Sequence, residues 1–445
     1  MTATSLFVCA CSNASSDEGP SGTGQGGSAS GSTVGTTSTS SGSPTSSATG
    51  GSFSTGGNVG TGGDTGSSGA AGTGGSTGTG GAASDGGSNG GAGGGTGGGS
   101  VSGVMRVYAS GYGNTIGTFA FDPQTGSLTS RGAPITGVTA PSFLAWGSPA
   151  KNLYALSETD NGRIYAYSID PLQGTLAAIN NASSSGAGPA HLLVDPSNKW
   201  VLVANYDGGT AAVLPIQANG GVGAPVDTQT FPSATPPLPH QIVLDPNHQF
   251  AFVPLKGADA IAQFRFDAAA GKLLANTPAR VATKSGANPR HIAFHPNSRF
   301  AYVINESNST MVAYTYDASL GRLTELQTLS TRAAGASGSN STAEVAIHPS
   351  GKWLYGSNRG DNNIVLFSIG DADGRMTFVN HTSTGGGPPR HFSIDPTGKF
   401  LLAANQMSNN LVVFRIGTDG KLTQAGSPTT VAGMMPTFVG ALFLP

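Results

Sequence analysis

A histidine, a carboxylate and two arginines stand at comparable places in successive stretches of the chain. They are His240 after Pro239, Arg290 after Pro289, Glu306 at the end of Tyr-Val-Ile-Asn-Glu, and Arg359 within Ser-Asn-Arg-Gly. A carboxylate and a histidine facing two arginines suit hydrolysis, or formation, of an ester-like ring in an anionic substrate. The arginines would hold a phosphate or carboxylate through paired N–H donors and stabilise charge developing on a carbonyl oxygen. Glu306 or His240 would take a proton from water. Beside two cations Glu306 should stay ionised, whereas His240 is closer to titrating at neutral pH. Serine-nucleophile chemistry has no support, because the chain lacks a Gly-x-Ser-x-Gly elbow. There is no phosphate loop and no dinucleotide fingerprint after a strand.

Such residues, far apart in sequence, need a scaffold that gathers them, and from Met105 onward the chain repeats. Six aligned segments close on Pro149, Pro196, Pro246, Pro296, Pro349 and Pro396, each followed by a second apolar run such as KWVLVAN or RFAYVIN. The runs are short, β-branched or aromatic, and punctuated by Asp-Pro, Asn and Gly. That pattern predicts four antiparallel strands per unit and no long helix. The first unit begins at its second strand, and the last segment, Pro436 to Gly440, is a first strand with nothing after it. Together the two ends complete one unit. The expected fold is therefore an all-β, seven-bladed β-propeller over 104–445, closed by pairing of the C-terminal strand with the N-terminal blade.

In such a ring, equivalent positions of the innermost strands meet at one mouth. After the first proline of strand one the aligned residues are Ser142, Ala190, His240, Arg290, Ala343, Arg390 and Thr437; one further on they are Phe143, His191, Gln241, His291, Glu344, His391 and Phe438. Ten residues beyond each closing proline stand Thr159, Tyr206, Lys256, Glu306, Arg359 and Gln406. Polar groups that differ from blade to blade inside a constant framework are site candidates. His191, Tyr206, Lys256, His291, Glu344, Arg390, His391 and Gln406 are accordingly expected around the substrate. Two readings stay open for His191, His291 and His391: a ring satisfied by nearby backbone, or a substrate contact. Arg290, Glu306 and Arg359 also admit two, a site or a mutual ion-pair network that holds the channel shut. His295 and His348 replace Asp in the Asp-Pro turn and read as turn residues. Asn205, Asn305, Asn358 and Asn405 read as strand-end hydrogen bonders. His248 and His381 read as surface groups. The channel histidines lie on separate blades without local ligand spacing, so no metal or other cofactor is expected.

The 70 glycines are unevenly placed, 33 of them in the first 100 residues among Ser, Thr and Ala. That window has no Lys or Arg and two aromatics, too little apolar surface to offset the entropy of ordering it, and 12–103 is expected to be a disordered linker. The remainder holds all 21 basic groups against 19 acids, which argues against nucleic-acid binding through bulk charge. Both cysteines lie within the first eleven residues, where Val8-Cys9-Ala10-Cys11 resembles a bacterial lipobox with Cys11 as the lipidated residue. Residues 1–11 then read as the remnant of a signal whose start lies upstream, and the linker as a tether. This predicts an exported, membrane-tethered monomer, the alternative being a cytoplasmic protein.

Gly-Ala-Asn-Pro-Arg-His (286–291), Tyr-Val-Ile-Asn-Glu (302–306), Ser-Asn-Arg-Gly (357–360), Gly-Pro-Pro-Arg-His-Phe (387–392) and Ala-Ala-Asn-Gln (403–406) together resemble the lactonase family of seven-bladed propellers. That family includes the propeller-type 6-phosphogluconolactonases and the carboxy-muconate lactonising enzymes. The resemblance implies metal-independent opening of a sugar lactone, with a catalytic cluster on His240, Arg290, Glu306 and Arg359. Relatives often have His after Ser-Asn-Arg-Gly; Asp361 stands here, which would lower the positive potential beside Arg359 and shift substrate preference. Export would favour an unphosphorylated sugar lactone. Two alternatives accompany this reading: a non-catalytic exported propeller that binds glycan or protein, and a muconate cycloisomerase.

Overall fold

The computed structural model describes residues 104–444; the lipobox-like cysteines and the glycine-rich segment lie outside them. The described chain forms seven four-stranded antiparallel sheets, as the repeat predicts. Blade 1 combines Pro436–Phe443 with Met105–Gly111, Ile116–Asp122 and Ser127–Ser130. Blades 2 to 7 follow in chain order, their innermost strands being Leu144–Trp146, Pro189–Val194, Val243–Leu244, Pro289–Phe294, Ser341–Ile347 and Pro389–Ile394.

Ring closure is a strand pairing between the two ends of the propeller, with Tyr108 opposite Gly440 and Ser110 opposite Phe438. It brings the first and last sheets face to face, covering the apolar faces that a linear stack would expose. Gly111 is required at this seam, because a Cβ there would collide with the Met435 carbonyl. Apolar residues of alternating strand positions pack between blades. Tyr154, Leu156 and Ile164 of blade 2, for example, join Val201 and Val203 of blade 3 in one cluster. A second device stitches neighbours: Tyr108, Tyr154, Tyr302 and Tyr355 each donate a hydroxyl hydrogen bond to a glycine carbonyl of the next blade, Gly174, Gly220, Gly374 and Gly420, at 2.6–2.9 Å. A buried tyrosine needs such a partner, and the apolar ring fills the interface at the same time.

The turn residues behave as their types dictate. The Asp195 carboxylate accepts from the Lys199 and Trp200 amides, and Asp395 accepts from Phe400. His295 replaces that carboxylate by accepting from Asn297 and pairing its Nε2 with the Gly351 carbonyl, and His348 likewise pairs with Gly398. Asn205, Asn358 and Asn405 each donate to a backbone carbonyl, and Asn305 to the Thr310 hydroxyl. His381 is half-buried, with Nε2 on the Thr331 carbonyl, and so is less of a surface group than its outer-strand position suggests.

Candidate active site

The innermost strands begin with a local irregularity that matters for the site. In blades 3, 5 and 7 the ladder register shifts between Pro189 and His191, Pro289 and His291, and Pro389 and His391. Successive strand residues normally point to opposite faces, and a bulge re-aims one of them. As a result the consecutive pairs Arg290–His291 and Arg390–His391 line the same pocket. Blade 4 reaches that pocket differently. Its innermost strand is only Val243–Leu244, and the proline-rich approach leaves His240 held by its amide on the Pro254 carbonyl at 3.0 Å.

The pocket is a small, partly open cleft with a cavity volume of about 20 Å³. It is lined by His240, Arg290, His291, Glu344 and His391 together with Glu158, Arg390, Ser142 and Thr437. Glu306 lies beside Arg290 and is enclosed by cations. Its Oε1 is 2.8 Å from Lys256 Nζ and 3.1 Å from Arg359 Nη2, and its Oε2 is 3.2 Å from Arg290 Nε. Burial alone would raise the Glu306 carboxyl, but Arg359, Lys256 and Arg290 together hold it far below the ordinary carboxylate range. Burial, reinforced by Arg359, brings the Arg290 guanidinium down to about 10, so it is a cation at neutral pH. Its Nη1 donates to the Ala343 carbonyl at 2.6 Å. The mutual ion-pair network is thus real, and it is centred on Glu306 and extended by Lys256. It leaves Glu306 a poor proton acceptor, since both oxygens are engaged, and casts it as the group that orients Arg290. Glu306, Arg359 and Lys256 are not themselves among the pocket-lining residues. Asp361, expected to lower the positive potential beside Arg359, is paired with Arg332 through two bonds of 2.8 and 2.9 Å.

A second chain of ionisable groups runs across blades 4, 5 and 6. His240 Nδ1 is 3.3 Å from His291 Nε2, and His291 Nδ1 is 3.0 and 3.1 Å from the two Glu344 oxygens. His391 Nε2 approaches Glu344 Oε2 at 3.4 Å, and its Nδ1 accepts from the Val439 amide. Burial, then the neighbouring cation Arg290, keeps His240 and His291 well below the usual histidine range; burial lowers His391 to about 4. All three rings are neutral at pH 7. Burial pushes the Glu344 carboxyl up, opposed by His391, Arg290 and the Val345 amide.

The remaining expected residues fall into place unevenly. Tyr206 stacks its ring edgewise on His240 at 5.4 Å and meets Lys256 Nζ at 3.2 Å through its hydroxyl. His191 is fully buried between Phe143 and His291, with neither ring nitrogen hydrogen-bonded. The backbone partner expected for its ring is therefore absent among the described residues. Gln406 is not among the pocket-lining residues. Arg390 Nη2 donates to the Tyr112 hydroxyl at 2.9 Å, which donates to Glu158 Oε1 at 3.0 Å. Tyr112 and Glu158 were missed by the repeat count. The turn before the second strand of blade 2 is one residue shorter than in blade 3, so Glu158, not Thr159, is the counterpart of Tyr206. Aligning strand ends on Ser157 and Asn205 would have found it.

No group of three or more His, Cys, Asp or Glu among the described residues stands where it could hold a metal ion. What the pocket offers is a fixed cation beside a neutral histidine, a pairing suited to adding water to an ester carbonyl. The model of the lactonase family, a 7-bladed beta-propeller, matches residues 103–439. The chain belongs to that family. A 6-phosphogluconolactonase of Bacillus subtilis is 30% identical over 297 residues, 65% of this chain and 84% of the relative. One of Formosa agariphila is 32% identical over 297 residues, covering 63% and 82%. The solved periplasmic gluconolactonase of Pseudomonas aeruginosa superposes with a TM-score of 0.71 at 28% identity, over 77% of this chain and 100% of that one. These relatives place this lactonase family member among the lactone hydrolases. No described helix is long and apolar enough to cross a membrane.

Proposed function

We propose that this lactonase opens a sugar lactone to its aldonic acid at the pocket between His240 and Arg390, without a metal ion. The observation that carries this reading is the neutral His240 beside the buried, cationic Arg290 in one pocket wall. His240 takes a proton from water as the water oxygen bonds to the lactone carbonyl carbon, and the carbonyl electrons move onto oxygen opposite Arg290. Collapse of that intermediate breaks the bond to the ring oxygen, which receives the proton from His240. Glu306, Arg359 and Lys256 hold Arg290 in place and keep the wall electropositive. Arg390, with Tyr112 and Glu158, contacts the sugar hydroxyls, a role that two donors and a carboxylate suit. We place the protein outside the cytoplasm, tethered through Cys11 and monomeric, with an unphosphorylated lactone as substrate; the periplasmic gluconolactonase relative supports the location and the substrate class.

The test is a panel of aldonolactones, phosphorylated and not, assayed with the full chain and with His240→Asn. Opening faster than the spontaneous rate, reduced about 10²- to 10⁴-fold in the variant, is expected. No gain on any lactone would support the binding-platform alternative, and an undiminished variant would remove His240 from the mechanism. Loss of lipid labelling in Cys11→Ala checks the anchor.

A further inference from the structure

The histidine that faces the pocket is one end of a row of hydrogen-bonded groups, and the proton positions along that row follow from the donors around it. Arg290 can only donate, and its Nη1 lies 3.4 Å from His291 Nε2. That nitrogen is therefore an acceptor. A neutral imidazole carries one proton, so the proton of His291 sits on Nδ1, where both Glu344 oxygens receive it at 3.0 and 3.1 Å. The single lone pair of His291 Nε2 is shared between Arg290 Nη1 and His240 Nδ1, the latter at 3.3 Å; an unprotonated His240 Nδ1 would set two lone pairs against each other, so the His240 proton sits on Nδ1 as well. The nitrogen left with a lone pair is His240 Nε2, the atom that a base in this pocket must present. The other end of the row is anchored independently. The Val439 amide donates to His391 Nδ1, which puts the His391 proton on Nε2 against Glu344 Oε2. The Val345 amide donates to Glu344 Oε1 at 3.0 Å. Every donor around Glu344 thus calls for the ionised carboxylate.

We propose that Glu344, acting through His291, is the positioning residue that holds His240 in its Nδ1-protonated tautomer and shares the charge of the imidazolium formed during lactone opening. This rests on reading His240 as the base. The logic is that of a carboxylate that sets the tautomer of a catalytic histidine, lengthened by one imidazole. The charged and titratable groups facing His240 are Arg290, His291, Lys256 and Arg390, with the Tyr206 ring on its face. Those facing Glu344 are His291, His391 and Arg290. Those facing His291 are Arg290, Arg390, Arg359 and the Glu306 carboxylate, which Arg290 and Arg359 already pair; Glu344 is the carboxylate hydrogen-bonded into the row, and its charge favours protonated His240 through His291.

Glu344→Gln tests this in the full chain. A Gln amide can donate to His291 Nδ1, which moves the His291 proton to Nε2 and turns His240 so that it presents N–H to the pocket. The expected result is a plateau of kcat about 10- to 100-fold lower, part of the 10²- to 10⁴-fold that a positioned base supplies. KM should change less, and the acid limb of the kcat/KM profile should move to lower pH because the stabilising charge is gone. A packing role alone would lower Tm without moving that limb. A folded Glu344→Gln variant with an unchanged profile would overturn the proposal. Should that variant not fold, long-range ¹H–¹⁵N correlation of the wild-type histidine rings decides: protonated Nδ1 on both His240 and His291 supports the row, and a protonated His291 Nε2 refutes it. An inactive wild-type protein would refute the lactonase reading instead, whereas an active wild type with an indifferent Glu344→Gln refutes only this inference.

Discussion

Glu306→Gln removes the single carboxylate among three cations, and its cost can be worked from the site. Lys256, Arg290 and Arg359 lie 2.8, 3.2 and 3.1 Å from the Glu306 oxygens, and the Glu306 side chain is 11% exposed. Removing one partner of a buried ion pair costs about 3–5 kcal/mol, because the charge left behind has neither water nor its counterion. Here three cations are left, although Lys256 can shed its proton once Glu306 no longer raises its affinity for it. We therefore expect about 3–5 kcal/mol rather than a multiple of it. Spread over the propeller at about 2 cal/mol/K per residue, that is a fall of about 4–7 °C in Tm. The pH dependence has a definite sign. The folded-state carboxyl is held below its unfolded value, so its stabilisation is fully present above the unfolded value of about 4.3 and disappears as pH falls further. Urea denaturation of both proteins at pH 7 and again near pH 3.5 checks this. A difference within about 1 kcal/mol at pH 7, or one that does not shrink on acidification, would refute the account of Glu306 as the clamp of Arg290.

Three further outcomes are expected. His191, His240, His291 and His391 are buried with lowered proton affinity, so the unfolded chain binds protons first and stability is lost as pH falls below about 6.5; the loss should be smaller in His191→Leu when urea midpoints are compared. Glu158→Gln should raise KM for the lactone about tenfold, the weight of one charged hydrogen bond, while leaving kcat and Tm nearly unchanged; an equal fall in kcat would move Glu158 into the chemistry. Phe438→Ala hollows the closing strand where Phe438 touches Phe143, Trp146 and His391, and should cost about 3–5 kcal/mol by urea denaturation; an unaffected midpoint would mean that ring closure does not depend on this packing.

The ring of blades was legible in the sequence because each blade carries its own turn signal, and complementary chain ends fixed the count at seven. Equivalent positions of a repeat are equivalent in space, and six of the expected residues, His240, Arg290, His291, Glu344, Arg390 and His391, line one pocket, whereas His191, Tyr206, Lys256, Glu306, Arg359 and Gln406 do not. A fixed offset failed wherever one blade departed from the period. The shortened turn before Asn152 hid Glu158, and the turn after Met105–Gly111, which has no closing proline before it, hid Tyr112.

The alignment could not show who touches whom across the ring. His240, His291 and Glu344 are separated by 51 and 53 residues, about one blade each, yet their contacts depend on three local events, of which only the Pro-x-His bulge recurs between blades. One is the proline-rich approach that leaves blade 4 with a two-residue innermost strand, another is the bulge that turns Arg290 and His291 to one side, and the third is the bulge between Thr342 and Val345 around Glu344. The same bulges decide the electrostatics. They bring Arg290 against His291 Nε2 and so determine which nitrogen of His240 meets the substrate. Of the two readings the sequence left for Arg290, Glu306 and Arg359, a site or a mutual ion-pair network, the folded ring shows the network, which clamps Arg290. In the proposed reaction proton transfer then falls to His240, with the carboxylate proposed to position it two blades away in Glu344.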